Sequence, residues 1–104
     1  MALIVTSTTN NQIHVQGTAI ELSSVYTRLE FGCRPNGITM EIAFYTYADR
    51  AAFLAGTGLP TDLPLTNLTQ DIDPATQTQG LDAAHAIAKT WFESLGFEVS
   101  IDLI

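Results

Sequence analysis

The chain has 104 residues, a formal net charge of −7, and only 14% charged residues, well below the ~25% of typical soluble domains. Four basic residues cannot neutralise a run of phosphates, so nucleic acids and anionic membrane surfaces are excluded as expected partners. Uncharged polar residues, chiefly threonine, replace the missing charges. Such a surface costs little to desolvate, which favours burial against partner proteins.

The length suits one domain with one hydrophobic core. We therefore expect residues 1–104 to form a single domain, with residues 1–17 as an arm or extra strands. Met1 to Val5 lack the basic flank and long apolar run of a signal peptide, and no stretch approaches the ~20 apolar residues of a membrane span. The protein is thus expected to be made in the cytoplasm without a membrane anchor.

The clearest pattern is a central β-hairpin. Apolar residues occupy every second position from Val25 to Phe31, with Thr27 as the exception, and from Ile38 to Phe44. This alternation predicts two strands with one apolar face each. The segment Arg34-Pro-Asn-Gly37 favours a tight turn, because proline presets φ and Asn-Gly tolerates positive φ.

A turn in which Arg34 faces Gly37 sets a definite register. The facing pairs are then Phe31 with Met40, Leu29 with Ile42, Tyr26 with Tyr45, and Glu30 with Glu41. This register places both apolar sets on one side of the sheet. It also opposes two carboxylates, which is mildly unfavourable and requires a nearby cation such as Arg28 or a partner.

Other segments are weaker. Strand candidates are Ala2 to Thr6, Gln12 to Gln16, Ala19 to Leu22, and Leu65 to Ile72. Ala48 to Gly56 is predicted as a short helix, with Asp49 at its N-terminus and Gly56 at its end.

A longer helix is predicted near the C-terminus, starting either at Asp73-Pro74 or near Gly80. Its apolar stripe consists of Leu81, Ala84, Ala88, Trp91, Phe92 and Leu95. Gly96 and Phe97 form a helix stop, with Phe97 contacting Phe92. Phe97 to Leu103 alternates as a half-buried strand. The predicted fold class is α+β, a mostly antiparallel sheet with one main helix packed on a face.

No motif for catalysis, cofactor binding or metal binding is present. His14 and His85 lie outside any nucleophile motif, and one cysteine with two distant histidines cannot form a zinc site. Cys33 is interpreted as a small apolar filler near a strand end. The acids from Asp71 to Asp82 match a calcium loop poorly. A pair of carboxylates in a cleft stays open as an alternative, although a chain this small has little room for one. The chain is therefore predicted not to be an enzyme.

Candidate contact residues lie on the polar face of the hairpin and on the last strand. They are Tyr26, Tyr45, Tyr47, Glu30, Glu41, Phe97, Val99 and Ile101. The tyrosines fit two interpretations, ordinary cross-strand pairing or a binding surface. The N-terminal strand and Phe97 to Leu103 are expected sheet edges that could pair across subunits.

The segment Val25-Tyr-Thr-Arg-Leu-Glu-Phe31, the turn, Ile38 to Tyr47, and Ala48-Asp-Arg-Ala-Ala-Phe-Leu-Ala-Gly56 resemble a recurrent family of small bacteriophage proteins encoded among tail and virion genes. A proline loop, Leu65 to Ile72 and the helix Leu81 to Leu95 follow in the family's order, so the resemblance spans roughly residues 20–97. It implies a non-catalytic structural protein in the virion, associated with the tail or baseplate. The implied partners are other virion proteins and further copies of the chain.

Two other interpretations stay open. Within the same class, the chain could be a capsid decoration or head-to-tail connector protein. In a different class, it could be a small cytoplasmic acidic binding or inhibitor protein. A mimic of nucleic acid would cluster its carboxylates on one surface, whereas the carboxylates here are scattered along the chain.

Overall fold

The computed structural model describes residues 2–34, 39–63, 68–71 and 79–102. Its elements are β1 (Ala2–Thr6), β2 (Ile13–His14), β3 (Glu21–Leu22), β4 (Ser24–Cys33), β5 (Thr39–Tyr47), α1 (Arg50–Leu54), β6 (Leu68–Asp71), α2 (Leu81–Ser94) and β7 (Glu98–Asp102). Five of the described strands form an antiparallel sheet in the order β6-β5-β4-β1-β7, and β2 pairs with β3 separately. The predicted α+β class is confirmed.

The central hairpin forms with the predicted faces but in a different register. The structure pairs Phe31 with Ile42, Leu29 with Phe44, Tyr26 with Tyr47, and Arg28 with Tyr45. The Arg34 N–H donates to the Thr39 carbonyl at 2.9 Å, so the connection is two residues longer than predicted. A shift of two keeps every side chain on its face. It also opposes Glu41 to Gly32, which removes the unfavourable carboxylate pair.

The N-terminal strand is not a sheet edge. Strand β1 lies between β4 and β7, with Val5 opposite both Val25 and Val99. Leu3 and Val5 are fully buried, so β1 belongs to the centre of the core. Among the described strands, β6 and β7 form the edges of the sheet. Of the two predicted edge segments, only the C-terminal one keeps that position.

Helix α2 packs across the inner face of the sheet. Ala84, Ala88 and Phe92 are fully buried there, and the Phe92 ring meets Phe44 edge-on with centroids 5.3 Å apart. The alanines leave no long side chain between helix and sheet, so the helix can lie close to the strands. Leu81 and Leu95, predicted members of the apolar stripe, lie at the helix ends and are exposed.

The predicted stop of α2 is confirmed. Gly96 has a φ of 97°, the left-handed region that favours glycine. The Gly96 N–H donates to Glu93 at 3.0 Å, and the Phe97 N–H donates to Phe92 at 3.3 Å, which is the hydrogen-bond pattern of a Schellman motif. The helix starts at Leu81 after Gly80. The alternative start at Asp73-Pro74 lies outside the described residues, as do Leu103 and much of the predicted strand Leu65 to Ile72.

Candidate interaction surfaces

The outer face of the sheet, opposite α2, is partly covered by the short helix α1. Asp49 caps this helix, accepting the Ala52 N–H at 2.8 Å. The cap fixes the start of α1. The centroid of the Phe53 ring lies 5.8 Å from that of Tyr26 and 5.2 Å from that of Tyr47. The Arg28 guanidinium carbon lies 4.3 Å from the Phe53 ring centroid, a cation–π geometry.

This packing corrects the predicted exposure of Tyr26. Its side chain is only 4% exposed, because the apolar residues of α1 cover this end of the sheet. Tyr47 is partly buried by the same helix. Sequence alternation could place both tyrosines on the polar face, but it could not show that a helix folds back over them.

Tyr45 is the tyrosine that reaches solvent, with half of its surface exposed. Its hydroxyl donates to the Glu30 carboxylate at 2.9 Å. That hydrogen bond and the charge of Glu30 raise the pKa of Tyr45 above its ordinary value. The ring is therefore held in one orientation on an open, polar part of the sheet.

Next to this pair, Glu30 and Glu41 flank a shallow depression whose floor is made by small residues. The depression has a volume of about 240 Å³. Ala43 faces Glu30 and Gly32 faces Glu41 across the two strands, so the residues between the glutamates are small. Arg34 pairs with Glu41 through its guanidinium. Both predicted acids thus already have a protein partner, and neither carboxylate opposes the other.

The candidate residues near the C-terminus lie on or next to β7, at one edge of the described sheet. Phe97 and Val99 are half-buried against the core, and Ile101 is 37% exposed. These three side chains share the inner face of the sheet, since Val99 faces Val5 and Ile101 faces Leu3. They form a cluster separate from Tyr45 and the two glutamates.

A groove that sequence reasoning missed lies between α2 and β6. It has a volume of about 480 Å³ and is lined by Leu68, Gln70, Ala86, Ile87, Thr90, Trp91 and Ser94. Trp91 stacks on Phe44 with centroids 5.7 Å apart, so the indole is a fixed wall of the groove. The groove arises from the spacing of helix and sheet, which the pattern of α2 alone does not reveal.

His14 and Asp62 form a second feature that the sequence did not indicate. The Asp62 carboxylate accepts the His14 backbone N–H at 2.8 Å and lies 2.9 Å from its ring Nδ1. Partial burial raises the pKa of Asp62, but the two hydrogen bonds and the imidazole charge outweigh it, so the pKa lies below its ordinary value. The pair joins residues 48 positions apart, which no local motif could show.

A carboxylate that orients an imidazole is also an arrangement found in catalytic sites. Here the other ring nitrogen, Nε2, lies 4.0 Å from the Glu21 carboxylate. In the part of the chain that the structure describes, the contacts of the imidazole are with these two carboxylates. The geometry therefore supports a structural role. The His14–Asp62 contact joins the β2–β3 pair to the segment before β6, next to the Val15–Thr61 bridge.

Cys33 lies at the end of β4, as predicted, but it is exposed and does not fill the core. It faces Met40 across the strands. Among residues 2–34, 39–63, 68–71 and 79–102, no group of three or more His, Cys, Asp or Glu side chains is placed to hold a metal ion.

The described carboxylates do not share one surface. Glu30, Glu41, Asp71, Glu98 and Asp102 lie on the outer sheet face, where Arg28 and Arg34 accompany them. Other acids lie elsewhere: Glu21 and Asp62 beside His14, and Asp82 and Glu93 on α2 with Lys89. This distribution does not favour a mimic of nucleic acid, which needs an uninterrupted acidic surface.

No protein-family model, curated protein or solved structure matches the chain significantly. The resemblance to small phage proteins therefore stays a prediction, and the geometry of the described surfaces carries the functional argument. None of the described helices combines the length and the apolar character needed to cross a membrane.

Proposed function

We propose that this chain is a non-catalytic assembly protein of a bacteriophage particle, associated with the tail or baseplate, which binds other virion proteins and further copies of itself. The resemblance of residues 20–97 to small virion proteins motivates the location. The low charge density of the chain supports a surface that is buried against partners.

The observation that carries a binding role is the Tyr45–Glu30 pair on the uncovered part of the sheet. Tyrosine is enriched among the residues that dominate interface energies, and a ring already fixed by a hydrogen bond loses little conformational entropy on binding. The small residues Gly32 and Ala43 beside it let a partner approach the strands closely. We expect Tyr45 to insert into a pocket of a neighbouring virion protein.

The test is the location of the protein in phage particles. Particles sedimented from a lysate of cells carrying the gene would be probed with an antibody against the chain and imaged with gold label. Recovery in the particle fraction with label on the tail or baseplate is expected. Label on the capsid or neck would instead favour a decoration or connector protein. Recovery only in the soluble fraction would contradict a virion role.

A matched pair of variants tests the site itself. Tyr45→Ala removes the ring, whereas Tyr45→Phe keeps the ring and removes only the hydroxyl. We expect incorporation into particles to fall at least tenfold for Tyr45→Ala and less for Tyr45→Phe, since a tenfold change corresponds to about 1.4 kcal/mol. Circular dichroism would confirm that both variants fold. Equal incorporation of Tyr45→Ala and the wild type would remove Tyr45 from the contact surface.

A further inference from the structure

The backbone of the edge strand β7 presents hydrogen-bonding groups to the outside at known positions. The Ser7 N–H donates to the Ser23 carbonyl at 2.9 Å, in line with the β1–β4 register. Because hydrogen-bonded pairs alternate along an antiparallel ladder, odd residues of β1 bond to β4 and even residues bond to β7. In β7, Glu98, Ser100 and Asp102 therefore bond to β1, and the peptide groups of Val99 and Ile101 point away from the sheet.

No described strand pairs with that outer side of β7. The edge carries only part of the usual protection against pairing with another chain, namely a short strand with two acids. It contains no proline, lysine or bulge, and its two acids, Glu98 and Asp102, share the outer sheet face with Thr6 and Ala2. The inner side of the edge carries the apolar side chains of Phe97, Val99 and Ile101.

We propose that β7 pairs antiparallel with β7 of a second copy of this chain, around a two-fold axis at Val99, to form one continuous ten-stranded sheet. This inference rests on the proposed assembly role, for which it names a partner and a contact. Strand addition at an exposed edge is a known mode of association. A two-fold axis makes the contact self-complementary, as in most homodimers.

The choice of register follows from the side chains that it brings together. With Val99 opposite its copy, Phe97 faces Ile101 of the second copy on the inner side, so apolar side chains meet. On the outer side, Glu98 faces Ser100, and no two acids oppose each other. The Phe97 N–H already donates to Phe92, so about four backbone hydrogen bonds form across the axis: two between the Val99 groups, and two from the Ile101 N–H groups to the Phe97 carbonyls.

A two-fold axis at Ser100 is the nearest competing register. It would also use the outward groups of Val99 and Ile101. However, it would oppose Glu98 to Asp102 twice, and like charges directly opposite each other are destabilising. In a chain with a net charge of −7, the register that avoids these pairs is favoured.

Disulfide formation across the axis tests this register directly. In a Cys33→Ser background, which removes the exposed native thiol, Val99→Cys would place two thiols on directly opposed residues. Their Cα atoms would lie ~5.5 Å apart, a distance that a disulfide can bridge. We expect Val99→Cys to form the covalent dimer at least tenfold faster than Ser100→Cys or Ile101→Cys under mild oxidation. Light scattering of the wild type should rise with concentration from 11.3 kDa toward twice that mass.

Two proline variants separate pairing from folding. Ile101→Pro removes an N–H that points to the open edge, so the fold should persist while dimer formation falls at least tenfold. Ser100→Pro removes an N–H that bonds to β1 and should lower the melting temperature instead.

Faster cross-linking of Ser100→Cys or Ile101→Cys, or no preference among the three positions, would overturn the proposed contact. So would a wild type that stays monomeric at every concentration while Val99→Cys fails to cross-link. If the protein is nevertheless found in phage particles, only the β7 contact fails and the assembly role stands. If β7 pairs as proposed but the protein is absent from particles, the virion role fails alone.

Discussion

The carboxylate of Asp62 bonds to His14 twice, once through the backbone N–H at 2.8 Å and once at ring Nδ1 at 2.9 Å. Because these contacts lower the pKa of Asp62 in the folded state, the ionised carboxylate stabilises the fold at neutral pH. The stabilisation is complete above the unfolded value of about 3.9 and is lost as the pH falls through the lower folded value.

We therefore expect Asp62→Asn to lower the free energy of unfolding by about 1 kcal/mol at pH 7, a modest value because the side chain is partly exposed. Urea unfolding of both proteins from pH 7 to pH 2 measures the difference. The difference in unfolding free energy between the two proteins should be constant above pH 4 and become smaller below it. A difference that stays constant down to pH 2 would show that the charge of Asp62 does not contribute.

Thr27 and Thr46 face each other across β4 and β5 and are both buried. The Thr46 hydroxyl donates to the Leu59 carbonyl at 2.6 Å, whereas the Thr27 hydroxyl has no partner within the described part of the chain. Valine has nearly the same shape without the hydroxyl. We expect Thr27→Val to stabilise the protein by about 1 kcal/mol and Thr46→Val to destabilise it by about 1 kcal/mol. Thermal unfolding distinguishes them, and equal shifts in the same direction would contradict the assignment.

Gly96 ends α2 in a conformation that other residues rarely adopt, and a side chain there would also collide with Asn11. Asn11 Nδ2 and Thr8 Oγ1 both donate to the Gly96 carbonyl, so the collision would disturb these contacts. We expect Gly96→Ala to cost about 2 kcal/mol, measured by urea unfolding. Gly58→Ala is the control, because its φ is ordinary and the space around it is open. If Gly58→Ala lowers the free energy of unfolding as much as Gly96→Ala does, the conformational explanation is excluded.

Phe53 and Leu54 are neighbours in α1 with opposite environments. Phe53 packs between Tyr26 and Tyr47, while Leu54 is exposed. We expect Phe53→Ala to lower the free energy of unfolding by about 2 kcal/mol and Leu54→Ala to change it by less than about 0.5 kcal/mol. Near-ultraviolet circular dichroism should also change for Phe53→Ala alone, because Tyr26 loses its cover. An unchanged tyrosine signal would argue against this packing.

Much of the fold could be predicted because its signals are local. Alternation assigned the faces of β4 and β5, and Gly96 with Phe97 marked the end of α2. The hairpin register could not be derived in this way, since a shift of two residues leaves the alternation of faces unchanged. The register depends on the length of the connection between β4 and β5.

The positions of β1 and the contacts of Tyr26 depend on tertiary packing between distant segments. No periodicity distinguishes an edge strand from one paired on both sides, so β1 was predicted at the wrong place in the sheet. The same limit applies to the candidate surfaces. Tyr45 and Glu30 were identified as candidates, but the groove beside Trp91 and the His14–Asp62 contact arise only when separate elements meet.

The central place of β1 also has a consequence for synthesis on the ribosome. Ala2 and Asp102 face each other although they are roughly a hundred positions apart, so β1 cannot be paired on both sides until β7 has been translated. The β4–β5 hairpin can form early, because its contacts are local. Until α2 has emerged, however, the nascent chain carries Met40, Ile42 and Phe44 on a sheet face with no helix over it. Translation pauses after β5 should therefore expose this face to chaperones or to neighbouring nascent chains.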